Sequence, residues 1–271
     1  MAPYLRFFFA VLTILSFARA MARERKPDVC PADANEFTAV ETKAQSGDAV
    51  AQTALASCYD LGRHVPPNGK ESIRWLTEAA NQGYVAAEYE LGRIYLYGRG
   101  IPADYAKALL WESKAAEQGD ARAQRDLAFM YERGFGVPAD LAKAAEWNRK
   151  AAAQGQADAQ LELARRAVQQ SDCSEAIHQY KEAAAHGQAL APYELGKLYL
   201  TRKCGADRNH ALLWFMIGSW LGSEESKSEA AKLAQAVSAQ QKKRADAAAR
   251  NWIKAHPGAQ RKEDDDEKEE R

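Results

Sequence analysis

The sequence has no surplus of charge of either sign, since 37 lysines and arginines balance 37 aspartates and glutamates over 271 residues. Proteins that bind nucleic acid gain affinity by releasing counterions from a basic surface, and this composition supplies no basic surplus. Long apolar runs are equally scarce, because no stretch beyond the first 20 residues is apolar enough to span a membrane. The composition therefore predicts neither a nucleic-acid partner nor a membrane span.

Motifs of the common enzyme classes are also missing. The chain has no Gly-x-Ser-x-Gly, His-Glu-x-x-His or Ser-x-x-Lys sequence and no phosphate-binding Walker loop. It has only five histidines, and His178 and His186, eight residues apart on one predicted helix, are better explained as a surface pair than as zinc ligands. The sequence thus predicts no catalytic residue, no cofactor and no metal site.

The one long apolar run lies at the N-terminus. Residues 7–18 are apolar except for Thr13 and Ser16, and Ala18-Arg19-Ala20 is a small-x-small cleavage sequence. These features predict a secretory signal peptide over residues 1–20 and export to the periplasm or out of the cell. A membrane anchor is the alternative, but about 20 apolar residues are needed to span a bilayer. Cleavage would remove two arginines and no acid, leaving 35 basic and 37 acidic residues.

A period of 36 residues runs through the middle of the chain. Six residue classes recur in one register, which predicts a stacked array whose units bury their apolar faces against their neighbours. The recurring positions are Gly47, Gly83, Gly119 and Gly155; Tyr59, Tyr95 and Tyr131; Gly62, Gly98 and Gly134; Pro66, Pro102 and Pro138; Asn68, Asp104 and Asp140; and Trp75, Trp111 and Trp147.

The second copy shows what one unit contains. Apolar residues at positions i, i+4, i+7 and i+8 predict one face of a helix, helix A, from Val85 to Tyr97. The segment 98–102, Gly-Arg-Gly-Ile-Pro, stops that helix, because glycine takes left-handed backbone and proline cannot continue a helix. Asp104 is then expected to cap a second helix, helix B, which ends before Gly119.

The fourth copy departs most from this pattern. It is 32 residues long, Ala167 stands at the tyrosine position, Arg166 stands at the preceding apolar position, and residues 170–172 replace the glycine–proline loop. The fifth copy also lacks that loop. These two copies carry Cys173 and Cys204, and a disulfide closing a loop of about 30 residues would contribute roughly 3–4 kcal/mol to offset the lost turns. The five copies begin at Gly47, Gly83, Gly119, Gly155 and Gly187.

The motifs of the second and third copies resemble the Sel1-like repeat. Leu91-Gly92-Arg93-Ile94-Tyr95 leads into Gly98-x-Gly100-Ile101-Pro102-x-Asp104, and Leu127-Ala128-Phe129-Met130-Tyr131 leads into Gly134-x-Gly136-Val137-Pro138-x-Asp140. The similarity covers about residues 47–222. The related tetratricopeptide repeat has a period of about 34 residues and lacks this loop. The expected fold is all-α, a right-handed α-solenoid of about five antiparallel helix pairs with helical caps.

The flanks of the array are interpreted as its caps, because the open ends of a solenoid need covering. The final residues are too polar to bury and are expected to be disordered. The expected segments are a signal peptide over 1–20, an N-terminal cap with one helix over 21–46, five repeats over 47–222, two capping helices over 223–256 and a charged tail over 257–271.

Four cysteines follow the predicted cleavage site, and an even number in an exported chain indicates two disulfides. Cys173 and Cys204 lie in the same interhelical segment of consecutive copies, which stacking brings together. Cys30 lies just before the helix expected to pack on the first copy, which holds Cys58. We therefore expect the pairs Cys30–Cys58 and Cys173–Cys204; four reduced, buried thiols are the alternative.

The surface that remains for function is the side of each helix A opposite the core. It mixes aromatic residues with arginine and lysine, the residue types enriched in binding hot spots. We interpret this face as a binding groove, with an ordinary amphipathic exterior as the alternative. The predicted partner-binding residues are Tyr89, Arg93, Arg125, Phe129, Arg165, Tyr193 and Lys197.

The resemblance to Sel1-like repeats implies a non-catalytic scaffold or regulator that binds a protein or peptide, and we expect a monomer. The alternative is a secreted β-lactam or cell-wall-related ligand-binding protein or hydrolase, because some cysteine-rich family members are described as penicillin-binding. Those members have regularly spaced cysteine pairs in each repeat, which this chain lacks. A secretion-system or host-directed effector is a third reading that the sequence leaves open.

Overall fold

A computed structural model of the chain describes residues 29–259, and within them it has 13 α-helices, two 3-10 turns and no strand. The predicted signal peptide and residues 260–271 of the predicted tail lie outside this range. The all-α expectation is confirmed. The α-helices are α1 Ala34–Gln45, α2 Ala49–Leu61, α3 Gly69–Asn81, α4 Val85–Tyr97, α5 Tyr105–Glu117, α6 Ala121–Arg133, α7 Leu141–Ala153, α8 Ala157–Gln169, α9 Cys173–Ala185, α10 Ala191–Leu198, α11 Arg208–Trp220, α12 Glu224–Gln235 and α13 Ala239–Ala255.

The chain divides into two compact units, residues 1–114 and 115–271. In the described part of the first unit, α2 packs on α1 and α3, and α4 packs on α3. In the second unit α6 to α11 form three successive helix pairs, and α12 and α13 both pack on α11. Each pair corresponds to one copy of the sequence repeat.

Local signals explain where these helices begin and end. Helix α4 covers the predicted span, and its C-terminal residue is followed by Gly98 in the left-handed conformation at φ 67°. The Asp104 carboxylate accepts a hydrogen bond from the backbone N–H of Lys107 at 3.1 Å, as an N-cap does. Gly119 after α5 has φ 96°, a conformation that side chains with a Cβ rarely adopt.

Helices A and B approach each other through paired small and large residues. A Cβ added at Gly92 of α4 would lie 2.6 Å from the Glu112 carboxylate of α5, and one at Gly196 of α10 would lie 2.5 Å from the Phe215 ring of α11. Glycine at these positions therefore makes room for a large, fully buried side chain on the partner helix. Helix A and helix B therefore approach each other closely at these glycines.

Buried glutamines join consecutive helix pairs. In the first unit Gln52 of α2 donates to the carbonyl of Ala44 at 3.2 Å and accepts from Gln82, just after α3, at 2.8 Å. The same pattern repeats 72 residues later in the second unit, where Gln124 donates to the carbonyl of Ala116 at 3.1 Å and accepts from Gln154 at 2.9 Å. Each of these glutamines thus adds a second hydrogen bond to a carbonyl at the end of the preceding helix, which also accepts from a glycine N–H.

Two disulfides cross-link the chain in the predicted pairing. Cys30 is bonded to Cys58 with an S–S distance of 2.04 Å, and Cys173 is bonded to Cys204 at 1.97 Å. The first ties the segment before α1 to α2, and the second ties the start of α9 to the 3-10 turn after α10. The described residues contain no free cysteine.

The fourth copy keeps its helix pair despite its altered sequence. Helices α8 and α9 are joined by residues 170–172, and Ser171 takes the left-handed conformation at φ 62° that glycines hold in the other turns. Both predicted C-terminal caps are helices, α12 and α13. Residues 257–259, assigned to the disordered tail, instead form a 3-10 turn whose Ala259 is buried.

Candidate interaction surface

Helix A is buried around more of its circumference than the sequence indicated. Tyr89, expected to point away from the core, is only 7% exposed. Leu96, two turns later on the same side of α4, and Leu161, at the equivalent of position 89 in α8, are also buried. The prediction came from the geometry of a single helix. In the array α4 contributes seven buried residues spread over two sides, because the repeat stacks on neighbours as well as on its own helix B.

In the first unit the accessible part of this face is centred on Arg93. Its guanidinium lies 5.6 Å from the ring centroid of Tyr89 and 5.8 Å from that of Tyr97, one turn on either side. Both distances fall within the range of a cation–π contact. Tyr97 is about half exposed, so the stacked guanidinium and this ring form an ordered, accessible patch.

In the second unit the predicted residues of α6 are half-buried and have partners. The Arg125 guanidinium pairs with Asp126 and reaches Asp158 of α8 at 3.1 Å. The Phe129 ring meets Phe135 edge-on at 5.7 Å and lies under Arg133 at 5.5 Å. Arg125 therefore links two repeats, whereas Phe129 belongs to an aromatic–cation group like that around Arg93.

A third aromatic–cation pair lies on α10. The Lys197 ammonium is 5.0 Å from the Tyr193 ring and 3.4 Å from the Glu194 carboxylate. Tyr193 also faces Phe215 at 6.0 Å between ring centroids, which holds its ring in place. Lys197 is exposed and Tyr193 half-buried, so the cation presents its charge to solvent above an anchored ring.

The sequence did not predict a pocket of about 300 Å³ that lies in the second unit, between repeats three and four of the chain. It lies among α6, α7 and α8, and its polar lining includes Glu132, Asn148, Glu162, Arg165 and Arg166. Arg165 was predicted to bind a partner; its guanidinium pairs with Glu162 at 2.7 Å. The sequence signal for the pocket was Arg166, an arginine at a position that is apolar in the preceding repeats.

Titratable groups with shifted pKa values have structural explanations. The His210 side chain, followed by backbone N–H groups, lowers the pKa of Asp207, the N-cap of α11. Burial raises the pKa of Tyr180 to about 12, with a further contribution from Glu194. Strongly shifted groups are often functional markers, but here they belong to a helix cap and a packed core.

Within residues 29–259, no cluster of three or more histidine, cysteine, aspartate or glutamate side chains is placed to hold a metal ion. Among the helices of that range, none combines the length and apolar character that crossing a bilayer needs.

Comparison with known families identifies the repeat. The Sel1 repeat model matches residues 49–84, 85–120, 121–156 and 189–215. The chain belongs to the Sel1 repeat family. In this Sel1 repeat protein the matched segments correspond to repeats one, two, three and five. The model passes over the fourth repeat, which holds Arg165 and Arg166, although the structure forms a complete helix pair there.

Two solved structures of Sel1 repeat type are similar to this chain. A protective antigen of uropathogenic Escherichia coli with an SLR fold has a TM-score of 0.73 and 27% identity, over 82% of this chain and 49% of its own length. The chain thus spans about half of that protein. A Sel1 repeat protein from Oxalobacter formigenes has a TM-score of 0.62 and 31% identity, over 68% of this chain and 78% of its own. No curated protein sequence matches significantly.

Proposed function

We propose that this protein is a non-catalytic scaffold that binds a protein or peptide partner through the accessible side chains of its A helices. Sel1 repeats form a family of helical scaffolds, commonly engaged in protein interaction. The observation that carries the proposal is a cation stacked on an aromatic ring on three A helices; the B helices also hold such pairs, for example Lys150 over Trp147 at 3.9 Å, so the experiment below tests which of the two surfaces binds. The A-helix groups are Arg93 with Tyr89 and Tyr97, Arg133 with Phe129, and Lys197 with Tyr193.

Such groups suit partner binding because they are ordered before the partner arrives. A long cationic side chain that is already stacked loses less conformational entropy on binding than a free one. The ring beneath it offers apolar contact, and the cation offers charge and hydrogen-bond donors, the combination found in hot spots. Burial of Tyr89 places that ring in a supporting role, with Arg93 and Tyr97 as the contact residues.

We further propose that the protein acts outside the cytoplasm, in the periplasm or beyond. Two disulfides favour an oxidising compartment. The apolar segment and cleavage sequence of residues 1–20 favour export. The similar Escherichia coli protein is described as a protective antigen, which suits a location accessible to antibodies. The partner is accordingly expected to be an exported protein.

The test begins with crosslinking in cells to identify the partner, followed by affinity measurements with purified proteins. Arg93→Ala, Phe129→Ala and Lys197→Ala should each weaken binding by about fivefold or more, the effect of losing roughly 1 kcal/mol at an interface. Arg149→Ala is the matched control, because Arg149 is an exposed cation on the B helix α7. Melting temperature is measured on every variant to separate binding from folding.

The proposal fails if the three A-helix variants bind the partner as tightly as the parent while remaining folded. In that case the B-helix surface or the interhelical loops would be the contact. Loss of binding in Arg149→Ala alone would also indicate a contact outside the A helices. Loss of binding in the three A-helix variants, with Arg149→Ala binding like the parent, would support the proposal.

A further inference from the structure

The pocket between the third and fourth repeats lies where the fourth repeat departs from the pattern. In the first unit Arg99, in the loop after α4, reaches back to Asp60 of the preceding repeat at 3.9 Å. The residue equivalent to Asp60 two repeats later is Glu132, which lines the pocket. The fourth repeat connects its helices through residues 170–172 alone and has no loop residue equivalent to Arg99. Glu132, at the end of α6, is exposed, as Asp60 is in the first repeat, and the fourth repeat supplies no arginine at this position to pair with it.

A second departure places an arginine where the core is otherwise apolar. Ile94 and Met130, 72 and 36 residues earlier, are both buried, and Arg166 takes their place in the fourth repeat. Its side chain is only half-buried, and its Nη1 donates to the backbone carbonyl of Leu141 at 2.8 Å. This bond fixes the guanidinium at the pocket wall. A guanidinium carries five N–H donors, so most of them remain for a ligand.

The charges around the pocket restrict what Arg166 can accept. Arg165 is already paired with the Glu162 carboxylate at 2.7 Å, whereas Arg166 donates to an uncharged carbonyl, so the charge of Arg166 is the one available to a ligand. Glu132 and Glu162 place two carboxylates in the lining, which opposes a dianionic phosphate more than a singly charged carboxylate. Glu132 can in turn pair with a cation that accompanies the ligand. The volume of about 300 Å³ is at the small end for ligand pockets and suits one side chain.

We propose that this pocket binds a side-chain carboxylate of a peptide, with Arg166 as its partner and Glu132 accepting a neighbouring basic residue. The inference rests on the proposed scaffold function and names one chemical feature of the partner: an acidic residue next to a basic one. Arginine and carboxylate form two parallel hydrogen bonds, which adds orientation to the attraction. The altered fourth repeat thereby becomes the specificity-determining part of the array.

The test is a nuclear magnetic resonance titration of the mature protein, residues 21–271, with the blocked dipeptide acetyl-Glu-Lys-amide. The expected result is saturable shifts of the Arg166 Nε–H and of the Asn148 side-chain amide. Acetyl-Gln-Lys-amide has the same shape without the carboxylate and should bind at least about tenfold more weakly, because it removes a hydrogen bond between charged groups. Inorganic phosphate should also bind more weakly.

Arg166→Met is the decisive variant, because it restores the residue that Met130 provides in the third repeat and should therefore fold. It should lose saturable binding of the dipeptide, whereas Arg149→Met, an exposed cation outside the pocket, should bind like the parent. Equal affinity for the Glu and Gln dipeptides, tighter binding of phosphate, no saturable shift, or unchanged binding in Arg166→Met would each overturn the proposal. None of these results affects the A-helix variants, whose partner binding tests the scaffold function separately.

Discussion

At the scale of single residues, Tyr89 shows that a side chain expected to be exposed on an isolated helix can be buried in a repeat array. A helical wheel places it opposite Leu91 and Ile94, and on a single amphipathic helix that side would face solvent. In a repeat array the same side also meets neighbouring elements, so Tyr89 is buried while Arg93, one turn later, stays half exposed. The sequence indicated which side of the helix Tyr89 and Arg93 share, but not how exposed each side chain is.

Tyr89→Ala is accordingly expected to destabilise the fold by about 3–5 kcal/mol, as buried aromatic truncations do. Arg93→Ala, which removes a stacked but half-exposed side chain, should cost about 1 kcal/mol or less. Urea unfolding of both variants, followed by circular dichroism, gives the two values. Equal stability of Tyr89→Ala and the parent would contradict the burial of this ring.

Gly196 gives a second test at this scale. Its α10 backbone leaves room for Phe215, and an added Cβ would lie 2.5 Å from that ring. Gly196→Ala should therefore destabilise the protein by about 1–3 kcal/mol, as overpacking does. Gly69→Ala is the matched control, because a Cβ at this helical position meets nothing within 4 Å, and it should leave stability unchanged or raise it by up to about 1 kcal/mol. Thermal unfolding of both variants measures the difference.

At the scale of helices, the features that could be predicted from the sequence are local ones. The span of α4, the capping by Asp104 and the turn at Gly119 depend on residues close in the chain, and all three are confirmed. Contacts between helices are not local and were partly missed. The bonds of Gln52 and Gln124 recur 72 residues apart, yet glutamine is so often exposed that its repetition does not indicate burial.

The disulfide Cys173–Cys204 joins α9 to the turn after α10, the region without the glycine–proline loop. Replacing both cysteines by alanine should lower the unfolding free energy by about 3–4 kcal/mol, the chain-entropy value for a loop of this length. Hydrogen exchange should accelerate most in α9 and α10. The matched control is the Cys30–Cys58 pair, whose removal should affect α1 and α2 instead. Uniform acceleration in both variants would contradict this local role.

At the scale of the whole molecule, the period of 36 residues was sufficient to predict a stacked helical array, and the resemblance of the motifs in the second and third copies predicted the family. The fourth repeat kept its helix pair without matching the family model, since its neighbours and the disulfide supply what its own sequence lacks. The arginine at position 166 was visible in the sequence, but the pocket was not, because its shape depends on how α6, α7 and α8 pack around one another. The residues that recur from repeat to repeat are those that pack and end the helices, whereas surface residues differ between repeats. The repeat pattern therefore does not identify the partner.

Export is the remaining whole-molecule prediction, and it connects the disulfides with the N-terminal segment. Expressed from Met1 in a Gram-negative host, the chain should be recovered from the periplasm or medium beginning at Met21, with no free thiols and both disulfides in peptide maps. Expressed from residue 21 in a reducing cytosol, it should retain four thiols and melt at a lower temperature, because neither cross-link restrains the unfolded chain. Recovery of an uncleaved, cytosolic chain, or equal melting temperatures for the two preparations, would refute this account.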